Sequence, residues 1–234
     1  MASIIPGFEY DIFISYRQKD NLPAPGYGRQ GMAERWVSEF VESLKTELQS
    51  TFKDEVSVYF DINPYDGLLE THQVDASLKE KLKCAVFIPV ISRTYCDTRS
   101  YAWKNEFCTF NKLALEDKYG REIKLANGNV GCRILPVRIH DLDPEDKAML
   151  ENELGCILRH VEFIYRSPGV NRPLRALEEH PRDNLNKTSY RDQVNKVANA
   201  VKELITGLQN FGNPAVRPVS KPVLVPGTES CGSD

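Results

Sequence analysis

Five short runs of apolar and β-branched residues punctuate this chain: YDIFISY (10–16), VSVYF (56–60), CAVFIPVI (84–91), RILPVRI (133–139) and VEFIY (161–165). Their apolar character suits strands buried on both faces of a parallel sheet. Parallel strands need crossover connections, and helical patterns stand between the runs. Residues 33–48 place Trp36, Val37, Phe40, Val41, Leu44 and Leu48 on one face. Residues 75–82 form a short helix, and residues 101–118 form another. A loop or short helix joins the fourth run to the fifth, and residues 189–208 set Val194, Val197, Val201, Leu204 and Leu208 on one stripe. The order predicts an α/β fold: a flavodoxin-like, doubly wound, five-stranded parallel sheet of order 2-1-3-4-5, flanked by helices. Pro89 and Pro136 cannot donate to a ladder, so each is expected near a strand end or on an unpaired side. Residues 166–188 read as a polar loop, with room for one helical turn.

The 234 residues suffice for one domain, expected over 8–210. Residues 211–234 hold four prolines without periodicity and read as a disordered tail, or as a linker to a further C-terminal sensor or effector domain. A net charge of -3 gives no electrostatic case for nucleic acid, and no polybasic patch marks a membrane surface. The longest apolar run, Cys84 to Ile91, cannot span a bilayer, and MASIIPGFEY lacks a secretory pattern. A cytoplasmic chain is expected. The six cysteines are scattered and read as reduced thiols, and no histidine stands near a cysteine pair, so no metal site is expected.

The helix opening SYAWKNEFCTF (100–110) carries an oddity. On a wheel of about 100° per residue centred on Trp103, Phe107, Phe110, Leu113 and Ala114 fall within about 80°. Glu106 falls inside that apolar arc. It either sits at the stripe's edge, snorkelling or pairing with an arginine, or opens into a crevice. In a doubly wound sheet ligands bind at the carboxyl ends of the strands, near the switch point. Ser15, Tyr16 and Arg17 end the first run, Asp61 follows the second, and the third leads through Ser92 toward Trp103 and Glu106. Arg17, Asp61, Trp103 and Glu106 would share one crevice; alternatively, Arg17 and Asp61 form an ion pair capping the sheet. GYGRQG (26–31) matches a dinucleotide fingerprint literally, but nine residues separate it from the first strand, which forbids the tight strand–turn–helix. It reads as a loop able to cover a pocket. A phosphoacceptor receiver is excluded because the third strand ends without an aspartate.

The chain resembles Toll/interleukin-1 receptor (TIR) domains over residues 8–208. YDIFISYR (10–17) resembles their first box, VSVYFDINPYDG (56–67) their second strand and following loop, AVFIPVISRTY (85–95) their third strand with its terminal serine, Ser92, SYAWKNEF (100–107) the helix start of NAD-cleaving members, and RILPVRI their fourth strand. The spacing departs in one place: Trp103 and Glu106 are three apart where many relatives have four. NPYDG (63–67) stands where an Arg-Asp or Pro-Gly pair is usual.

The resemblance implies a TIR fold and cleavage of the nicotinamide–ribose bond of NAD, which is a substrate rather than a cofactor. It implies a catalytic role for Glu106 and substrate contacts from Ser15, Tyr16, Arg17, Asp61, Ser92 and Trp103. It also implies self-association, with the loop at about 62–73, including Asn63, Pro64, Tyr65, Asp66 and Gly67, completing a neighbour's site, and a role in antiviral defence. The residue types suit that reaction: nicotinamide leaves as a neutral amine without a general acid, and a carboxylate stabilises the oxocarbenium-like ribose left behind. Two alternatives stay open. One is a non-catalytic TIR–TIR interaction module. The other is a synthase, in which an adenine nitrogen rather than water captures the ribose.

Overall fold

The computed structural model describes residues 3–23, 35–61, 74–157, 159–176 and 182–211. GYGRQG, the Asn63–Gly67 segment and residues 212–234 lie outside them.

Five strands form one parallel sheet: β1 (Tyr10–Ser15), β2 (Val58–Tyr59), β3 (Cys84–Ile91), β6 (Val137–Arg138) and β7 (Val161–Glu162), in the order β2-β1-β3-β6-β7. Counting only the sheet strands, this is the expected 2-1-3-4-5 order. β3 lies at the centre with all eight residues buried. Its alternation divides the core into two layers. Ile12, Ile14, Val86 and Ile88 meet helices α1 (Trp36–Thr51) and α5 (Tyr190–Gln209) on one face. Phe13, Phe87 and Ile91 meet Trp103, Phe107, Phe110 and Ala114 on the other. The aromatic rings form a stack there, with Phe13–Phe87 centroids 5.5 Å apart and Phe87–Phe110 4.7 Å. On the first face, α1 and α5 bury the stripes that their sequence periods predict. Ser189 caps α5 by accepting from the Asp192 N–H at 3.2 Å.

The RILPVRI run forms a shorter strand than its composition suggests. Phe87 N–H donates to Arg133 O and Leu135 N–H to Phe87 O; the ladder resumes when Ile139 N–H donates to Ile91 O. Between them, Pro89 removes the donor that its parity would aim at this neighbour. The strand therefore shrinks to Val137–Arg138 plus a single bridge at Ile134. Pro89 thus sits inside the central strand, not at its end, with its missing donor on the β6 side.

Two hairpins were not expected. β4 (Glu122–Lys124) pairs with β5 (Val130–Cys132), and β8 (Ile164–Ser167) pairs with β9 (Val170–Pro173). The second corrects the reading of 166–188 as a loop: its polar residues are strand residues turned by Gly169 at φ 76°. They carry side-chain bonds, Arg166 to Asp141 and Glu162 and Asn171 to Asp141, instead of apolar packing. Helix α4 (Pro144–Leu154) fills the connection between β6 and β7, with proline in its first turn and Gly155 at φ 64° closing it. Helix α2 (Val74–Lys81) leads into β3. No helix among the described residues is long and apolar enough to cross a membrane.

One buried charge ties the sheet to its surroundings. Arg133 is 1% exposed; its Nε donates to Ala85 O at 2.8 Å, one terminal nitrogen to Cys84 O at 2.7 Å, and the other to Gly120 O and the Asp117 carboxylate. The guanidinium fork satisfies the carbonyls at the start of β3 while remaining neutralised.

Candidate active site

The segment that carries Glu106 is not α-helical at its start. Ala102–Phe107 form a π-helical turn, in which Cys108 N–H donates to Trp103 O, before α3 (Cys108–Glu116) continues as an α-helix. Ser100 Oγ accepts from Trp103 N–H at 3.1 Å and starts the turn. Such turns insert an extra residue and are frequent at functional sites. Here the turn keeps Trp103, Phe107, Phe110 and Ala114 in the core, as the periodicity predicts, while Glu106 faces β1.

Glu106 is half-buried and opens into a cavity of ≈ 350 Å³ at the carboxyl edge of the sheet. Phe13, Tyr16, Tyr59, Asp61 and Lys81 also line it. Among the described residues, the hydrogen-bond partner of Glu106 is a hydroxyl rather than an arginine: Ser15 Oγ donates to Oε2 at 2.5 Å. Ser15 Oγ is also 2.8 Å from the Tyr95 hydroxyl, and both residues are fully buried.

Burial pushes the Glu106 carboxyl from 4.5 up to about 7. The Ser15 hydrogen bond pulls against that rise, and the Asp61 carboxylate adds to it. Burial likewise raises Tyr16 to about 12, and it raises Tyr59, with Asp61 reinforcing the shift in both. The phenols are therefore neutral at physiological pH. Tyr16 donates its hydroxyl to the Asp61 backbone carbonyl, closing the ends of β1 and β2 together. Lys81 Nζ donates to the Tyr59 hydroxyl at 3.0 Å and lies 4.6 Å from the ring centroid. It is the cation among the described lining residues.

The sequence-predicted residues divide into three groups. Ser15, Tyr16, Asp61 and Glu106 come together at the cavity. Arg17, the next residue along from Tyr16, instead lines an adjoining cleft of ≈ 420 Å³ with Lys19, Arg93 and Arg99, so it and Asp61 do not share a cavity. Ser92 and Trp103 are structural in their surroundings. Ser92 is 1% exposed and donates to Asp20 at 2.5 Å, pinning the turn at Gln18–Asn21 to the end of β3. Trp103 is 4% exposed, edge-on to Tyr95 at 6.4 Å and against Phe107 at 5.0 Å. Sequence reasoning missed Tyr59, Lys81 and Tyr95 as neighbours of the site. Tyr59 carries the one available signal, a polar-tipped aromatic near a strand's carboxyl end; Lys81 and Tyr95 reach the site only through tertiary packing.

The arrangement offers a carboxylate at the edge of ionisation beside a second carboxylate, with neutral phenols and one ammonium around a cavity within the range that holds small ligands. Positive charge developing in that cavity would be stabilised without reorganisation of solvent. Among the described residues no group of three or more His, Cys, Asp or Glu is arranged to hold a metal ion, and the five described cysteines are free thiols. No family model and no curated protein matches the chain.

Proposed function

We propose that this chain is a TIR-type enzyme that consumes NAD, breaking the nicotinamide–ribose bond to give nicotinamide and ADP-ribose or a cyclic or linked ADP-ribose signal. The observation that carries the reading is Glu106: a carboxylate drawn out of an otherwise apolar helix face by a π turn and held by Ser15 at 2.5 Å in a ≈ 350 Å³ cavity. A purely structural helix face has no use for a desolvated carboxylate, which costs stability.

In the proposed reaction the C1′–N bond of NAD breaks and its electron pair leaves with nicotinamide, which departs neutral. Glu106, ionised, stabilises the oxocarbenium-like ribose, and Asp61 adds negative potential on the same cavity. Water then bonds to C1′ and loses a proton, giving ADP-ribose; capture by an adenine nitrogen gives the cyclic product. Tyr16 and Tyr59 supply neutral polar tips for ribose and amide groups, and Lys81 is the candidate partner for the diphosphate. Arg17 serves from the neighbouring cleft, and Trp103 and Ser92 support the walls. Activity by self-association through the 62–73 segment, and a cytoplasmic role in antiviral defence, belong to the same proposal.

The test is nicotinamide release from NAD by concentrated protein, with and without a crowding agent, against Glu106→Ala and Glu106→Gln. Release by the unmodified chain and its loss in both folded variants is the expected result. Equal release by the Glu106→Ala variant would overturn the assignment. Absence of release under every assembling condition would favour a non-catalytic interaction module.

A further inference from the structure

Tyr95 belongs to no part of the mechanism above, yet its hydroxyl is buried against Ser15, whose only proton is directed at Glu106. The ring is 0% exposed and wedged between Trp103 and Phe107, at centroid distances of 6.4 and 6.2 Å. Its own N–H donates to Ser92 Oγ at 3.1 Å, which locks the backbone at the end of β3. The phenol therefore has a fixed position, and its polar partner is Ser15 Oγ at 2.8 Å.

Counting protons assigns the direction of this chain. A serine hydroxyl has one proton and two acceptor lone pairs. When Glu106 is ionised, Ser15 gives its proton to Oε2, and Tyr95 must then be the donor to Ser15. Three oxygens share two protons, and every proton has an acceptor. If Glu106 took a proton on Oε2, three protons would face two gaps: either the fully buried Tyr95 hydroxyl would lose its acceptor, or the new proton would turn out toward the cavity and Ser15 would lose its charged acceptor. If it took the proton on Oε1, the Ser15 bond would lose its charge assistance. Burial raises Tyr95 well above the usual phenol range, so it keeps its proton wherever Glu106 titrates.

We propose that Tyr95 is a positioning residue: by donating to Ser15 it reserves the serine proton for Glu106, and the chain Tyr95–Ser15–Glu106 holds the carboxylate in its ionised form and in one rotamer. The chain opposes the burial that drives the Glu106 carboxyl upward. The titratable groups sharing its cavity are Tyr16, Tyr59, Asp61, Lys81 and Tyr101, of which Asp61 acts on the carboxyl in the opposite sense to the chain. This role deepens the NAD-cleaving reading when that reading holds, but the hydrogen-bond chain itself is testable without NAD.

The experiment is a carboxyl ¹³C NMR titration of protein labelled at the glutamate side chains, with the Glu106 resonance identified by its absence in Glu106→Gln. Tyr95→Phe removes one hydroxyl while keeping the ring. The expected result is an upward shift of the Glu106 midpoint by about half a pH unit, because a hydrogen-bond chain polarises its next member. Ser15→Ala, which removes the charge-assisted bond itself, shifts it by about one unit or more. An unmoved midpoint in Tyr95→Phe, beside a moved one in Ser15→Ala, would overturn the proposal and leave Tyr95 as packing. If Tyr95→Phe fails to fold, the unmodified protein decides: a slowly exchanging Tyr95 hydroxyl proton whose shift follows the Glu106 titration supports the chain, and a rapidly exchanging one refutes it. Nicotinamide release measured on the same samples separates the two ideas. A moved midpoint without release in the unmodified protein sinks the NAD reading alone; release with an unmoved midpoint sinks the Tyr95 role alone.

Discussion

Replacing Glu106 by glutamine removes an ionisable group and leaves a side chain of nearly the same shape, whose amide oxygen still accepts from Ser15. The consequence for stability follows from the carboxyl's shift from 4.5 to about 7 on burial in the cavity. A raised carboxyl binds its proton more tightly in the folded chain than in the unfolded one. Its contribution to stability is therefore full below about pH 4.5 and lost as pH rises through about 7. A shift of this size corresponds to ~3 kcal/mol at most. Glu106 is half-buried and faces a cavity that water can enter, so ~1–2 kcal/mol is the expected remainder. Urea unfolding of both proteins at a series of pH values measures it. Glu106→Gln should match or fall slightly below the parent near pH 4.5, gain on it between about pH 5 and 7, and exceed it by ~1–2 kcal/mol at pH 8. A difference that stays constant across that range, or a variant less stable at pH 8, would refute the claim that this carboxylate is held at a cost.

Two more outcomes follow from the same geometry. Arg133→Ala strands the carbonyls of Cys84 and Ala85 in the core and should cost ~3 kcal/mol or more in urea unfolding, and a loss below ~1 kcal/mol would show those carbonyls finding other donors. Trp103 packs in the core and does not line the Glu106 cavity, so Trp103→Ala should cost ~3–5 kcal/mol, while Trp103→Phe should retain nicotinamide release within a few-fold per folded molecule; a selective loss of release in the phenylalanine variant would place the indole against substrate instead.

Much of the architecture was legible because it depends on which residues must leave water. The alternation of apolar runs with helical stripes is a local pattern, and it determined the parallel sheet, its order and the buried faces of α1 and α5. The residues at strand ends, Ser15, Tyr16 and Asp61, were legible as a site for the same reason: the carboxyl edge of such a sheet is where a crevice forms. The apolar arc through Trp103, Phe107 and Phe110 also identified Glu106 as a carboxylate out of place. Its resolution was not local. The π turn rests on Ser100 starting the turn and on the packing of Trp103 and Phe107 beneath β3.

The sequence anticipated the start of β8, where Ile164 of the VEFIY run is buried, but the rest of the hairpin escaped it because polar side chains line Arg166–Pro173. Arg17 follows Tyr16 just beyond the end of β1, yet the two side chains line different clefts, and proximity in sequence gave no warning. Pro89 in the central strand is tolerated because its missing donor faces the interrupted stretch of β6. The residue types alone determined that a carboxylate and a hydroxyl were available at the sheet's edge. Only the tertiary structure brought Ser15 within 2.5 Å of Glu106 and set Tyr95 behind it, because those contacts join residues 91 and 80 positions apart, and no local period records a distance across two crossovers.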